Sequence, residues 1–561
     1  MEKRAILAIV LSLLVVIVWS VFFNPSRPRT PPPEQAEQAK QEAPPAPEEA
    51  TPKPEQASPS APPEETAMPT PPPEEALVTV DTGVARLALT NLGAGVRSVQ
   101  LHEFKIDIAK GAPPVEIAPV PGATQVPLTA ELHVGQRVES LYEVAFAPST
   151  TALTLSERTP EGTVVFRGRL SNGAVVRRTY HFRYDSYAFE VETRLEGLQP
   201  ADQASMVLWW GPGLLQHSAE KVSRRGQTAV APRSYVSGKV FDKAPKEVGA
   251  TQVDRGHVAW TALADTYFAA VLLPQQPAAD AIMVRRVRAD ALMVGLQTPL
   301  RSAQPTQTVR VYVGPKKQQL LKAVEPSLAT KLIDLGIFSP LARPMMDLLR
   351  LINGVVHNYG VTIILVTILI KIVFWPLTQK SYKSMQAMQK LQPKIKELQV
   401  VYKDDKQAMN QAMMKLYREQ KVNPMGGCLP MLLQIPFFFA FYNALLYSIE
   451  LRHAPFICWE HPVFWIGRGI CDLSVLDPSY ITPVLMGISM FVQQKMTPTT
   501  GDPTQAKFMQ FMPLLFLFFF LKAPSGLVIY WLVNNVLSIV QQQLINRSRR
   551  LETAAKAKAS G

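Results

Sequence analysis

A lysine stands inside a lipid-soluble run. Residues 361–376 read Val-Thr-Ile-Ile-Leu-Val-Thr-Ile-Leu-Ile-Lys371-Ile-Val-Phe-Trp-Pro, and Lys371 carries their only charge. A cation at membrane depth costs roughly 2.5–3.5 kcal/mol on insertion scales, so such residues usually face a bundle interior or a water-filled cavity. Two readings stand on this segment alone. The four-carbon stem could snorkel to the nearer interface, since Pro376 and Gln379 lie a turn or two away. Alternatively the ammonium could sit in a polar cavity between helices.

Catalysis at that depth would need a nucleophile, acid or base. No Asp, Glu or His lies inside the five apolar runs after residue 355. A proton- or ion-coupled transporter would also call for intramembrane carboxylates. The chain is therefore expected not to be an enzyme. Neutral polarity remains instead. Thr367 precedes Lys371 by four residues and shares its helix face. Gln434 interrupts a second run. Tyr530, Trp531, Asn534 and Asn535 interrupt the last one, with Tyr530 and Asn534 on one face. These groups either line a hydrated groove around Lys371 or bond helix to helix, at roughly 0.6–2 kcal/mol per contact. Amides and hydroxyls solvate a cation poorly without water, which favours the groove.

The elements that must position these residues are those of a multi-span α-helical membrane protein with a large soluble insert. Residues 1–23 form a basic start and an apolar stretch long enough to span, read as an uncleaved signal anchor. Residues 24–76 are about one-third proline with ten Glu against four Lys and Arg, a disordered linker. Residues 77–320 are expected to form an antiparallel β-sandwich. Phe189 and Val191 alternate with Glu190 and Glu192, Val309, Val311 and Val313 with Arg310 and Tyr312, and Asn172-Gly173 is a hairpin signal. Its histidines are scattered, which argues against chemistry there. Residues 321–354 are read as connecting and interfacial amphipathic helices. Spans are expected near 359–377, 426–448, 480–494, 508–521 and 525–544, making six with the anchor. The fourth and fifth are short. Between the first two of these five, 378–424 reads as a helical hairpin, Lys380–Gln399 and Asp404–Lys421, with adaptable Met385, Met388, Met409, Met413 and Met414. The net charge of +13 concentrates at Lys3-Arg4, in 378–424 and in the tail 546–561, which puts both termini in the cytoplasm and the β domain outside. The excess orients the chain and implies no specific DNA. Cys458 and Cys471 fall in an external loop, where they either pair or remain free thiols.

Several motifs resemble those of the YidC membrane protein insertases. They are Lys421-Val-Asn-Pro-Met-Gly-Gly-Cys-Leu-Pro430, Tyr382-Lys-Ser-Met385, Gln392-Pro-Lys394, Asp404-Asp-Lys-Gln407 and Glu450-Leu-Arg-His-Ala-Pro-Phe456. Lys495-Met-Thr-Pro498, Asp502-Pro503, Pro524-Ser-Gly-Leu-Val-Ile-Tyr530 and Gln541-Gln-Gln543 follow, with Trp209-Trp-Gly-Pro-Gly213 and Val313-Gly-Pro-Lys316 in the β domain. The likeness is dense over 355–545 and is similar to the Gram-negative, six-span form of the bacterial inner membrane.

The resemblance implies an insertase and chaperone of nascent membrane proteins, working alone or with the Sec translocon, with no nucleotide or metal cofactor. It implies a groove around Lys371, Thr367, Gln434, Tyr530, Trp531, Asn534 and Asn535, a periplasmic β-supersandwich, and membrane lipid as a partner. It also associates the hairpin, with Met385, Met388, Asp404, Asp405, Met409 and Met413, and the basic tail with substrate and ribosome contact. Two departures stand out. The family's groove cation is commonly Arg, where this chain has Lys371, so charge is kept but the five-donor fork is lost. The loop 458–471 is longer than is usual and carries both external cysteines. The rival readings are an assembly scaffold without translocation, and an envelope carbohydrate-acting protein using the β domain.

Overall fold

The computed structural model describes residues 74–118, 125–197, 204–214, 230–242, 247–288, 291–301, 304–403, 405–420, 422, 429–459, 469–496 and 503–559. The expected anchor 1–23, nearly all of the linker, Asp404 and most of the Lys421–Pro430 motif lie outside the described residues.

Alternating apolar residues build a β domain of three sheets. In spatial order, the nine-stranded sheet holds Lys239–Asp242, Ala231–Val236, Val258–Ala264, Phe268–Gln276, Thr306–Pro315, Ala188–Glu196, Val175–Arg183, Glu161–Arg169 and Phe146–Pro148. Every neighbouring pair in it is antiparallel. A six-stranded antiparallel sheet packs against it, and a five-stranded sheet contains one parallel pair, Leu77–Asp81 with Ala152–Thr154. Phe189, Val191, Val309, Val311 and Val313 all point into the core. Asn172-Gly173 forms the turn between two paired strands, with Gly173 at φ +87° where a side chain would be strained.

One buried cation holds three loop carbonyls in this domain. Gly93, Ala94 and Leu128 adopt left-handed backbone, at φ +68°, +46° and +62°. Such turns leave carbonyls that no strand partner can satisfy. Arg178, fully buried, donates Nη1 to Gly93 O at 3.1 Å, Ala94 O at 3.4 Å and Leu128 O at 2.6 Å, and Nε to Thr193 Oγ1 at 3.2 Å.

Helices follow the last strand: α1 Gln318–Val324, α2 Pro326–Lys331, α3 Ser339–Val356, α4 Tyr359–Lys390, α5 Gln392–Val401, α6 Lys406–Glu419, α7 Leu429–Tyr447, α8 Ile481–Met496, α9 Pro503–Phe520 and α10 Ser525–Ala559. α1 and α2 belong physically to the β domain. Leu321 and Leu328 are buried, Trp260 Nε1 donates to Ser327 Oγ at 2.9 Å, and Arg233 pairs with Asp334 at 3.0 Å. α3 is an amphipathic helix within the stretch read as connecting and interfacial helices, running two residues past its end at 354. It buries Ala342, Met345, Met346 and Leu349, and leaves Leu351 71% and Val355 81% exposed.

Three helix boundaries depart from the sequence reading. α4 continues past the expected span end at Leu377 to Lys390, through Pro376, with the Thr378 hydroxyl bonded to the Phe374 carbonyl at 2.8 Å in the next turn. The first hairpin arm, expected as one helix over Lys380–Gln399, breaks at Leu391, since Pro393 opens α5 and cannot donate its own N–H. The tail expected over 546–561 continues α10 as helix to Ala559, in keeping with its Ala, Lys and Leu content. Among the described residues, α4 is the helix long and apolar enough to cross a membrane by length and composition, and Phe511–Phe520 is a shorter apolar stretch.

Arg178→Met should cost about 3 kcal/mol, because buried carbonyls lose their donor. The check is a lower thermal midpoint for the purified full chain.

Candidate functional site

α10 collects the polar side chains. Its residues Tyr530, Asn534 and Ser538 repeat every four positions and so share a face. Lys371 Nζ on α4 donates to Ser538 Oγ at 2.7 Å, and Ser538 Oγ in turn donates to Asn534 O at 2.8 Å. Gln434 Nε2 on α7 donates to Asn534 Oδ1 at 3.1 Å, and Gln434 also meets the Tyr530 hydroxyl. A continuous polar chain thus joins α4, α10 and α7. Lys371 is half-buried and makes no ion pair among the described residues.

The other polar positions divide. Asn535 turns to α8, donating Nδ2 to Ser489 Oγ at 3.1 Å. Thr367 is buried and donates to Ile363 O at 2.6 Å, one turn back on its own helix, so it shares Lys371's face in sequence but not its polar chain. Tyr530 lies under Phe438 and Phe441, at ring distances of 6.1 and 4.7 Å. Trp531 is enclosed by Phe438, Phe516 and Phe520, and its indole N–H is buried with no partner among the described residues. Below Lys371, Gln541 Nε2 reaches Trp375 O at 3.4 Å, Gln542 Nε2 reaches Met496 O at 2.5 Å, and Gln386 Nε2 reaches Asn546 Oδ1 at 2.5 Å. The sequence reading did not single out Ser538 or Ser489. The four-residue spacing Tyr530, Asn534, Ser538 was the available signal for the first.

In the hairpin, Met388 is buried, while Met385, Met409 and Met413 are half-buried. Asp405 accepts from Gln407 N and Ala408 N, both at 2.9 Å, and so caps α6. Asp404 lies outside the described residues.

At the other end of the bundle, the loop after α7 locks the start of α4. Cys458 and Cys471 are disulfide-bonded, with Cα atoms 4.6 Å apart. Phe456 N bonds Ile470 O at 3.0 Å, and Phe456 O accepts Asn358 Nδ2 at 3.0 Å. Asn358 Oδ1 also accepts from Val361 N at 3.1 Å, capping α4. A Cβ on Gly360 would overlap the Phe456 ring. The same loop meets the β domain. Arg350 Nε pairs with Glu450 at 2.9 Å, and Arg452 Nη2 donates to Lys105 O at 2.7 Å and lies over the Phe268 ring. Nearby Lys316 Nζ donates to Asp265 O at 2.8 Å, and burial pushes the Lys316 ammonium down to about 8 and the Asp265 carboxyl up.

Polar groups turned inward, apolar residues such as Ile372, Phe511 and Leu514 turned outward, and a β domain fixed across one end define an integral membrane protein with a large extramembranous domain. Residues 77–348 match the YidC periplasmic domain family, and residues 351–553 match the 60Kd inner membrane protein family. A membrane protein insertase YidC of Syntrophus aciditrophicus (strain SB) is 38% identical over 564 residues, covering 98% of this chain and 100% of the relative. Another, from Citrifermentans bemidjiense, is 38% identical over 557 residues, covering 98% and 99%. A crystal structure of an active YidC insertase, with its first transmembrane domain resolved, aligns over 95% of this chain and 98% of its own at 16% identity and a TM-score of 0.33. On the sequence matches, the chain belongs to the YidC membrane protein insertase family. It is an inner-membrane protein with a periplasmic β-rich domain and a helical C-terminal region.

Replacing Cys458 and Cys471 together by Ser should lower stability by about 3 kcal/mol on loop-closure arguments. Thermal unfolding should show dithiothreitol shifting the wild type and leaving the double variant unmoved.

Proposed function

We propose that the chain inserts hydrophobic segments of nascent membrane proteins into the inner membrane through a hydrophilic groove centred on Lys371. The observation that carries the reading is the polar chain Lys371–Ser538–Asn534–Gln434 across three helices. An ammonium has three donors, and Ser538 takes one of them. The charge has no carboxylate partner among the described residues, so a substrate's acidic, outward-bound tail is its natural counter-ion. Burial of the substrate's own apolar segment then drives release into lipid, at roughly 25 cal/mol per Å².

In this reading the chain has six spans with both termini in the cytoplasm. α7 has 19 residues and no charge. α8 has 16 residues, about 24 Å at 1.5 Å per residue, against a hydrocarbon core of about 30 Å. A short helix there thins the barrier that the tail must cross. The Sec translocon, the ribosome at the hairpin and basic tail, and bilayer lipid are the partners of this reading. The protein acts on substrates without making or breaking bonds, and needs no cofactor.

Lys371→Ala should reduce insertion of substrates with acidic tails by about tenfold, the loss of roughly 1.4 kcal/mol, and spare uncharged tails. Lys371→Arg should retain function and Ser538→Ala should fall between. The measurement is protease protection of a single-span substrate in liposomes holding this protein alone. Equal insertion of both tail types by Lys371→Ala would count against the groove charge, and binding without protection would leave the scaffold. Removal of residues 77–310 should leave insertion standing in the same assay. Its abolition would move the function to the β domain.

A further inference from the structure

We propose that the β domain carries a lipid-contacting tip, residues 105–111, that rests in the headgroup region of the periplasmic leaflet. The proposal rests on the membrane-core reading above. The strand Val96–Lys105 ends against the helical region. Phe104 meets Phe268 edge-on at 5.5 Å, Lys317 Nζ pairs with Glu103 at 2.8 Å, and Lys105 O accepts Arg452 Nη2 at 2.7 Å. Arg452 lies only a few residues past the end of α7. Two residues before it, Glu450 holds Arg350 of the amphipathic α3. The tip and the interfacial helix are therefore pinned to one short loop and share its level.

Beyond Lys105 the chain makes an ordered turn. Ile106 N bonds Pro113 O and Ala112 N bonds Ala109 O, both at 3.0 Å. Asp107 Oδ1 accepts Ile108 N, which keeps that carboxylate on its own turn. Ile106 and Ile108 are 39% and 46% exposed, between exposed Lys105 and Lys110. Two isoleucines held out between two lysines, at the level of an interfacial helix, match a surface that is apolar below and anionic above. The occupant is phospholipid.

Strand register supplies an internal standard. Phe268 pairs with Pro315 at the membrane-proximal end, while Arg194 pairs with Thr306 and Val175 with Glu196 at the other. The Asn172 turn thus lies about 30 Å away along the ten-residue strand Thr306–Pro315. The test places one cysteine at a time, Ile108→Cys, Asn172→Cys or Val373→Cys, in the full chain carrying Cys428→Ser. Each is labelled with NBD and reconstituted in phosphatidylethanolamine/phosphatidylglycerol liposomes containing a nitroxide lipid. Val373 is 65% exposed on α4 and reports the span itself. The label at 108 should lose roughly half or more of its fluorescence, as expected for insertion roughly 5–10 Å deep. The label at 373 should also be quenched and the label at 172 should not. Quenching at 373 but not at 108 overturns the tip and leaves the membrane core intact. No quenching at 373 overturns the span and the tip with it.

Discussion

Hydrocarbon offers no water, so each polar group on a membrane helix must find its partner inside the protein or leave several kcal/mol unmet. α10 meets that demand for the whole bundle. Ser538 takes Lys371 from α4, Asn534 takes Gln434 from α7, and Asn535 takes Ser489 from α8. Further along α10, Gln541, Gln542 and Asn546 reach α4 and α8 again. A slip of α10 by one residue turns each side chain by about 100° and puts Ile539 where Ser538 stands. The polar face therefore sets rotation and depth together, while the aromatic packing around Trp531 supplies attraction without such precision.

The same logic extends to the β domain. A single apolar core runs from its sheets through Leu321, Leu328 and Met345 to Ile363, Phe441 and Tyr530 in the bundle. Ionic contacts ring that core where it meets water: Arg350 with Glu450, Arg233 with Asp334, Lys317 with Glu103. Partly exposed pairs such as Arg233–Asp334 and Lys317–Glu103 contribute little energy singly, and they fix direction more than stability, whereas Arg350–Glu450 is largely shielded on both sides. The loop after α7, which supplies Glu450, also caps α4 through Asn358 and holds the start of α10 through Ser525 N to Val475 O at 2.6 Å. The outer ends of the helices that carry Lys371 and Ser538 are thus tied to one covalently clasped loop.

Much of this was legible in the sequence, and what escaped did so for physical reasons. Alternation revealed strands that bury one face, such as Ala188–Glu196, and Asn172-Gly173 revealed its turn. The strand Ala204–Trp210 buries every residue, so it has no alternation to read. The span read to residue 377 and the hairpin arm read from Lys380 are one continuous helix, α4, because the change from apolar to polar side chains between them is a change of surroundings and not of backbone. Lys371, Gln434 and Asn534 were legible as expensive polarity in apolar runs. Ser538 was not, because a serine in a helix costs little and its partner lies 167 residues away. Thr367 shows the converse. Its spacing placed it beside Lys371, but a buried hydroxyl is satisfied most cheaply by the carbonyl one turn back. For Cys458 and Cys471, spacing left pairing open, and the fold brings their Cα atoms to 4.6 Å.

The choice of lysine at 371, where arginine would carry the same charge, acquires a structural meaning from Ser538. A guanidinium spreads five donors in a plane and could satisfy several acceptors at a distance from α10. An ammonium is a compact point charge with three donors, and one hydroxyl fixes its position without consuming it. Ser538 accepts from that charge on a lone pair of its oxygen while its own proton goes to Asn534 O. The serine also places no negative charge beside the ammonium, so the attraction for a passing carboxylate is not cancelled within the site. A carboxylate at 538 would hold Lys371 more tightly and neutralise it. A hydroxyl in that position orients the cation and places no opposite charge beside it, which suits the proposed role of binding a polar tail and then letting it go.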